Sequence, residues 1–191
     1  MTSSHKQHLI RLLEDDPDRM AVLKAVATLT LPDCWVAAGF VRNLVWDHLH
    51  QKKTELNDVD VIYYSQPDPE SDTLCETRSH LGDIATQQLK SLLPQVNWQV
   101  KNQALMHKKH LHSRYLNSTD AMTFWPEQET AIAVKIDPRG GIAINAPFGL
   151  SSLFAQQITF NPKADERVFR NRIAEKSWLT TWPKLQLVSL D

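Results

Sequence analysis

The chain has 191 residues, 42% of them hydrophobic and 23% charged, with a formal net charge of −1. That balance excludes intrinsic disorder and leaves no long-range pull toward nucleic acid or an anionic membrane. No apolar stretch approaches ~18 residues and the opening MTSSHKQHLIRLLEDD has no apolar leader core, so a cytoplasmic protein is expected. Cys34 and Cys75 lack metal-ligand spacing and form neither a disulfide framework nor a zinc site.

In chain order, Leu9, Ile10, Leu12 and Leu13 predict a helix over 4–14, and Met20, Leu23, Val26 and Ala27 predict a second over 17–30. DCWVAAG, residues 33–39, predicts a short buried strand ending at Gly39. FVRNLVWDHLHQ then returns to helical spacing through Val41, Leu44, Val45 and Leu49. LNDVDVIYY, 56–64, predicts a strand, followed by the loop SQPDPESD and a helix from about Leu74 to Leu93 that Pro94 stops. WQVKNQALMH, 98–107, predicts a strand in its first half, and TAIAVKIDPRGGIAINAP a hairpin turned at Arg139-Gly140-Gly141. A short helix at 149–157 and a longer one at 163–179 close the chain. Alternating strands and helices followed by a hairpin imply an α+β fold, a mixed sheet packed on helices. No stretch is rich enough in Pro, Gly or Ser to divide the chain, so one domain over 1–191 is expected.

Chemistry concentrates at two points. Residues at i and i+2 of a strand share a face, so Asp58 and Asp60 stand about 6 to 7 Å apart and repel unless something neutralises them. A divalent cation does so, and Mg2+ in particular favours one or two carboxylates plus water and phosphate oxygens; a solvated acidic turn is the bland alternative. The second point is the order strand, Gly39, helix. Unpaired N–H groups at a helix N-terminus attract phosphate, and Arg42 and Asn43 lie in that first turn. A phosphate site beside a carboxylate pair is the layout of nucleotidyl or phosphoryl transfer.

The blocks AGFVRNLVWDHLH, LNDVDVIYY, WQVKNQALMH, FWPEQETAIAV, APFGLSSLF and KSWLTTWPKL occur in this order across nearly the whole chain. On them the sequence resembles a family of bacterial nucleotidyltransferase-like proteins within the superfamily that includes DNA polymerase beta. The resemblance implies a minimal nucleotidyltransferase core over about 33–147, with extra N-terminal helices in 1–30 and a C-terminal helical extension in 148–191. It implies Asp58 and Asp60 as catalytic, Mg2+- or Mn2+-binding residues. Gly39 takes the place of the superfamily's Gly-Ser or Gly-Gly turn. Gly39, Phe40, Arg42, Asn43 and Asn102 become the nucleotide-binding set. The implied partners are an NTP and an unidentified acceptor.

Three departures stand beside it. Phe40 follows Gly39, so the hydroxyl that often meets a nucleotide phosphate in the superfamily is missing. The Gly39-to-Asp58 gap is longer than the superfamily's usual one. Gln99 stands where the superfamily's third acid belongs, and an amide cannot act as a base. A catalytically degenerate nucleotide- or protein-binding domain is therefore the alternative, and Glu127 and Glu129 are the substitute acids. His107, His110 and His112 have the wrong spacing for zinc and adjoin two lysines, so HKKHLH predicts a solvated basic patch. Six tryptophans could stack bases, but Trp46, Trp178 and Trp182 predict packing, with the C-terminal helix folded back onto the domain.

Overall fold

The computed structural model describes residues 2–66, 80–110 and 112–188, without the side chains of 2, 3, 109 and 110. Helices α1 (Thr2–Glu14) and α2 (Pro17–Ala27) open it, and the Asp16 side chain caps α2 by accepting from the Arg19 N–H. Then come β1 (Trp35–Ala37), α3 (Gly39–Leu49), β2 (Asp58–Tyr63), α4 (Leu81–Leu92), β3 (Asn97–Asn102), α5 (Gln103–His110) and α6 (Ser118–Met122). The hairpin β4 (Ala133–Ile136) and β5 (Ile142–Asn145) follows, and α7 (Ser151–Phe154), β6 (Gln157–Ile158), α8 (Glu166–Glu175), α9 (Trp178–Thr181) and β7 (Gln186–Leu187) complete the chain. Among the described residues no helix is long and apolar enough to cross a membrane.

The main sheet has the order β3-β2-β1-β4-β5, parallel between β2 and β3 and antiparallel elsewhere. It is the expected mixed sheet on helices. Its two faces differ. Val36, Val59, Val61, Trp98 and Val134 point to one side and enclose the main core with Leu23, Val26, Phe40, Val41, Val45 and Leu89 from α2, α3 and α4. On the other side Ala37, Ile62 and Ala133 pack under Met122 of α6, a smaller cluster that covers only part of that face.

Some boundaries shift. The strand expected over 33–39 stops at Ala37, because Ala38 turns the chain at φ 59 and ψ −124 and Gly39 already opens α3. The helix expected from Leu74 begins, within the described residues, at Leu81; 74–79 lie outside them. The helix expected over 163–179 is two, α8 and α9, broken where Ser177 takes a left-handed φ of 52. The hairpin turns where expected: Gly140 supplies a φ of 84, and the Asp137 N–H donates to the Gly141 carbonyl at 2.7 Å.

The C-terminal segment does fold back. Trp178 and Trp182 meet Trp46 edge-on, with ring centroids 5.9 and 5.2 Å away, and the Trp182 indole N–H donates to Asp47 Oδ1 at 2.8 Å.

Candidate functional site

In the β1–β2 register Ala37 lies opposite Asp60, and two residues later Gly39 begins α3. The carboxylate strand and the helix start are thus neighbours. Val41 and Arg42 both donate their amides to the Ala38 carbonyl, at 3.1 and 3.0 Å. Among the described residues the Gly39 and Phe40 amides, the other two donors of the first turn, have no acceptor. The turn is held by strain: φ 59 with ψ −124 is a glycine conformation, yet Ala38 occupies it and donates its N–H to the Ile132 carbonyl at 2.9 Å. An alanine at Gly39 would make only ordinary contacts, 3.5 Å to Arg42 Nη2 and 3.6 Å to Asn43 Nδ2. The conformational demand therefore sits one residue earlier than the glycine.

Asp58 is exposed and Asp60 partly so, and among the described residues each has one side-chain hydrogen-bond partner, from β3. Asn97 Nδ2 donates to Asp58 Oδ1 at 2.7 Å, and Lys101 Nζ donates to Asp60 Oδ1 at 3.1 Å. Gln99 lies directly beside Asp60 in the parallel register. The acid face is an open surface. Two cavities, of about 320 and 310 Å3, lie elsewhere, one against α2, β1 and β4 and the other around Tyr115, Phe124 and Trp125.

Arg42 is enclosed, with its guanidinium between Trp46 and Trp178, 4.9 and 4.4 Å from their rings. Nη1 donates to Thr130 Oγ1 at 2.6 Å, while Nε and Nη2 donate to Asn43 Oδ1 at 3.2 and 2.9 Å. Burial pulls Arg42 down to about 10, against the opposing pull of Glu127, and the group remains a cation at neutral pH. Its bonds have one consequence for the helix start. With Oδ1 of Asn43 committed to Arg42, the Asn43 Nδ2 is the donor left beside Gly39.

The other expected nucleotide contacts are placed differently. The Phe40 side chain is fully buried in the core, with the Arg19 guanidinium 5.6 Å from its ring, so only its backbone faces the helix start. Asn102 stands level with Tyr63, out of step with the acid row. Its Oδ1 accepts from the Ser65 and Ala104 amides at 3.1 Å each and its Nδ2 donates to the Ser65 carbonyl at 2.8 Å. These bonds tie the end of β2 to the start of α5. Glu127 is buried in a two-bond ion pair with Arg172, at 2.6 and 3.2 Å. Glu129 is buried and accepts from the Thr159 N–H at 2.8 Å; burial raises its carboxyl, and the Thr159 bond offsets part of the rise. Among the described residues neither acid bonds to the β2 pair.

The donor set suits a hard cation. Asp58 and Asp60 each spend one oxygen on a β3 partner and keep the other, and both are open to solvent and to a ligand's phosphate oxygens. Among the described residues no group of three or more His, Cys, Asp or Glu side chains could hold a metal by itself. Residues that sequence reasoning passed over are Asn97 and Lys101, which contact the acids, and Thr130, which fixes Arg42 together with Trp178, a residue expected only to pack. The first two had a signal: they alternate with Gln99 on β3 and so share its face.

The sequence profile of the nucleotidyltransferase family matches residues 24–187. The chain belongs to this nucleotidyltransferase family. A solved structure described as the NMR structure of a protein that reveals a CCA-adding enzyme head domain is 29% identical, with a TM-score of 0.79 over 96% of this chain and 95% of that one. A CCA-adding enzyme in complex with CTP is 14% identical, with a TM-score of 0.59 over 94% of this chain and 43% of that one. An apo form of such an enzyme gives 14% and 0.56, over 94% and 42%. These two longer proteins share the fold, and the nucleotidyltransferase chain spans about two-fifths of their length. Among curated proteins none matches.

Proposed function

We propose that this nucleotidyltransferase moves a nucleoside monophosphate from an NTP onto an acceptor and releases pyrophosphate. The observation that carries the reading is the register of Ala37 with Asp60, which sets the acid row beside a helix start that has spare amide donors. In this reading the Gly39 and Phe40 amides and the Asn43 Nδ2 bind phosphate oxygens. Arg42 orients the Asn43 amide and adds positive charge under the turn. Asp58 and Asp60 hold a Mg2+ or Mn2+ ion, whose chemistry is to neutralise and align the phosphates for in-line attack. The positive end of α3 acts in the same sense. CTP is the first nucleotide to try, since a protein of the same fold has been captured with it.

The test is calorimetry with Mg2+ and a panel of NTPs. Wild type is expected to bind at least one NTP in the presence of Mg2+, and Asp58→Ala to weaken that binding by about tenfold or more, as expected when a metal-bound charge loses a ligand. Absence of binding in wild type, or equal binding in the variant, removes the proposal. A second reading, nucleotide binding without turnover, is favoured by Gln99 beside Asp60. Labelled NTP incubated with cell extract separates the two: a tagged product supports transfer. Activity that appears only in Gln99→Glu supports the silent binder.

A further inference from the structure

The row of side chains on β3 beside Asp58 and Asp60 consists of Asn97, Gln99 and Lys101, none of them acidic. A nucleotidyl-transfer site that uses two cations needs enough carboxylate to hold both about 3.5–4 Å apart. Of the acids close to Arg42, Glu127 is paired with Arg172, and Glu129 is buried with Oε2 on the Thr159 amide and Oε1 without a hydrogen-bond partner; among the described residues neither bonds to the β2 pair. The β3 row instead offers an ammonium: Lys101 Nζ sits 3.1 Å from Asp60 Oδ1, with the two side chains 45% and 31% exposed. Two carboxylates and one ammonium leave a single negative charge, which suits one ion carried in by a triphosphate and falls short of two.

We propose that the acid face takes one divalent cation, and that the Lys101 ammonium supplies the second positive charge at Asp60. This rests on the nucleotidyl-transfer reading. A lysine suits the role because its ammonium is a compact charge on a flexible stem and can move from the carboxylate to a substrate oxygen. It also competes. As long as it holds Asp60 Oδ1, a cation arriving without nucleotide meets a partly neutralised site.

Mn2+ titration followed by electron paramagnetic resonance, with a non-hydrolysable NTP analogue present, counts the ions. One per chain is expected. Two overturns the proposal and leaves the nucleotidyltransferase reading standing, whereas none, together with no analogue bound, overturns both. With Mn2+ alone, Lys101→Met is expected to tighten the ion by at least about threefold and Lys101→Arg to stay within about twofold of wild type, the scale of a half-exposed ion pair. Equal affinity in Lys101→Met and wild type overturns the competition. In the double variant Lys101→Met with Gln99→Asp, a second ion is expected with the analogue bound. A single ion there means that the β3 row does not set the count, and the proposal falls.

Discussion

The two faces of the main sheet are made from the same strands, yet one is closed over as the main core and the other is only partly covered and carries the acid row. On β2 the division changes at every residue: Val59 and Val61 are fully buried against the helices, while Asp58 is exposed and Asp60 is held beside Lys101. The helix-side core fixes the strands so firmly that the opposite face is free to carry side chains chosen for charge. A polar row on that face contributes little to stability, and its loss should be felt in binding. Conversely, a change on the buried face should cost stability without touching the ligand directly.

The sharpest way to test that division uses neighbouring residues of one strand. Val61→Ala is expected to lower stability by about 2 kcal/mol, from lost apolar burial plus the cavity left behind. Asp60→Ala, one position earlier, is expected to stay within about 0.5 kcal/mol of wild type, since it removes only a half-exposed ion pair. Chemical denaturation of the two variants measures both. Equal losses would show that the acid row is structural after all, and would break the comparison.

A smaller effect is expected at the turn that joins the faces. Ala38→Gly relieves backbone strain of about 1–3 kcal/mol. It gives up about 0.8 kcal/mol of methyl burial and about 0.5–1 kcal/mol of chain entropy. The net lies between about 0.8 kcal/mol destabilising and about 1.7 kcal/mol stabilising. A loss in Ala38→Gly well beyond about 1 kcal/mol, measured by chemical denaturation, would mean that the turn is not strained.

The smallest effect is a pH dependence. Burial raises the Glu129 carboxyl above its ordinary 4.5, so folding takes up a proton between the unfolded and folded values. Stability therefore falls as pH rises through that window and is level above it. Glu129→Gln keeps an acceptor for the Thr159 N–H and removes the titration, so its Tm should gain on wild type as pH rises from about 4 to 8. A gap between the two that does not change with pH would remove Glu129 as the source.

Sequence reasoning located the strands and helices well where a single periodicity governed them, and less well where packing overrode it. Alternation placed Asp58 and Asp60 on one face, and the same rule applied to WQVKN would have found Lys101 beside them. The helix expected over 163–179 contains no glycine or proline to break it. It breaks at Ser177 where the chain turns to seat Trp178 on Arg42 and Trp182 on Asp47. Arg42 lies on the helix stripe of Val45, Trp46 and Leu49, three, four and seven residues further on, but a local stripe does not close over a guanidinium. Its enclosure depends on Thr130, 88 residues away, and on Trp178, neither of which lies within reach of a local pattern.

The sequence by itself determined the α+β class, the acid row and the glycine at the head of α3, because each follows from a spacing of two or about four residues along the backbone. Only the tertiary structure decided that Ala38 carries the turn and that Arg42 is buried as the brace for Asn43. Those outcomes depend on which distant side chains share a desolvated space, and charge and hydrogen bonding are settled there by the neighbours packing supplies.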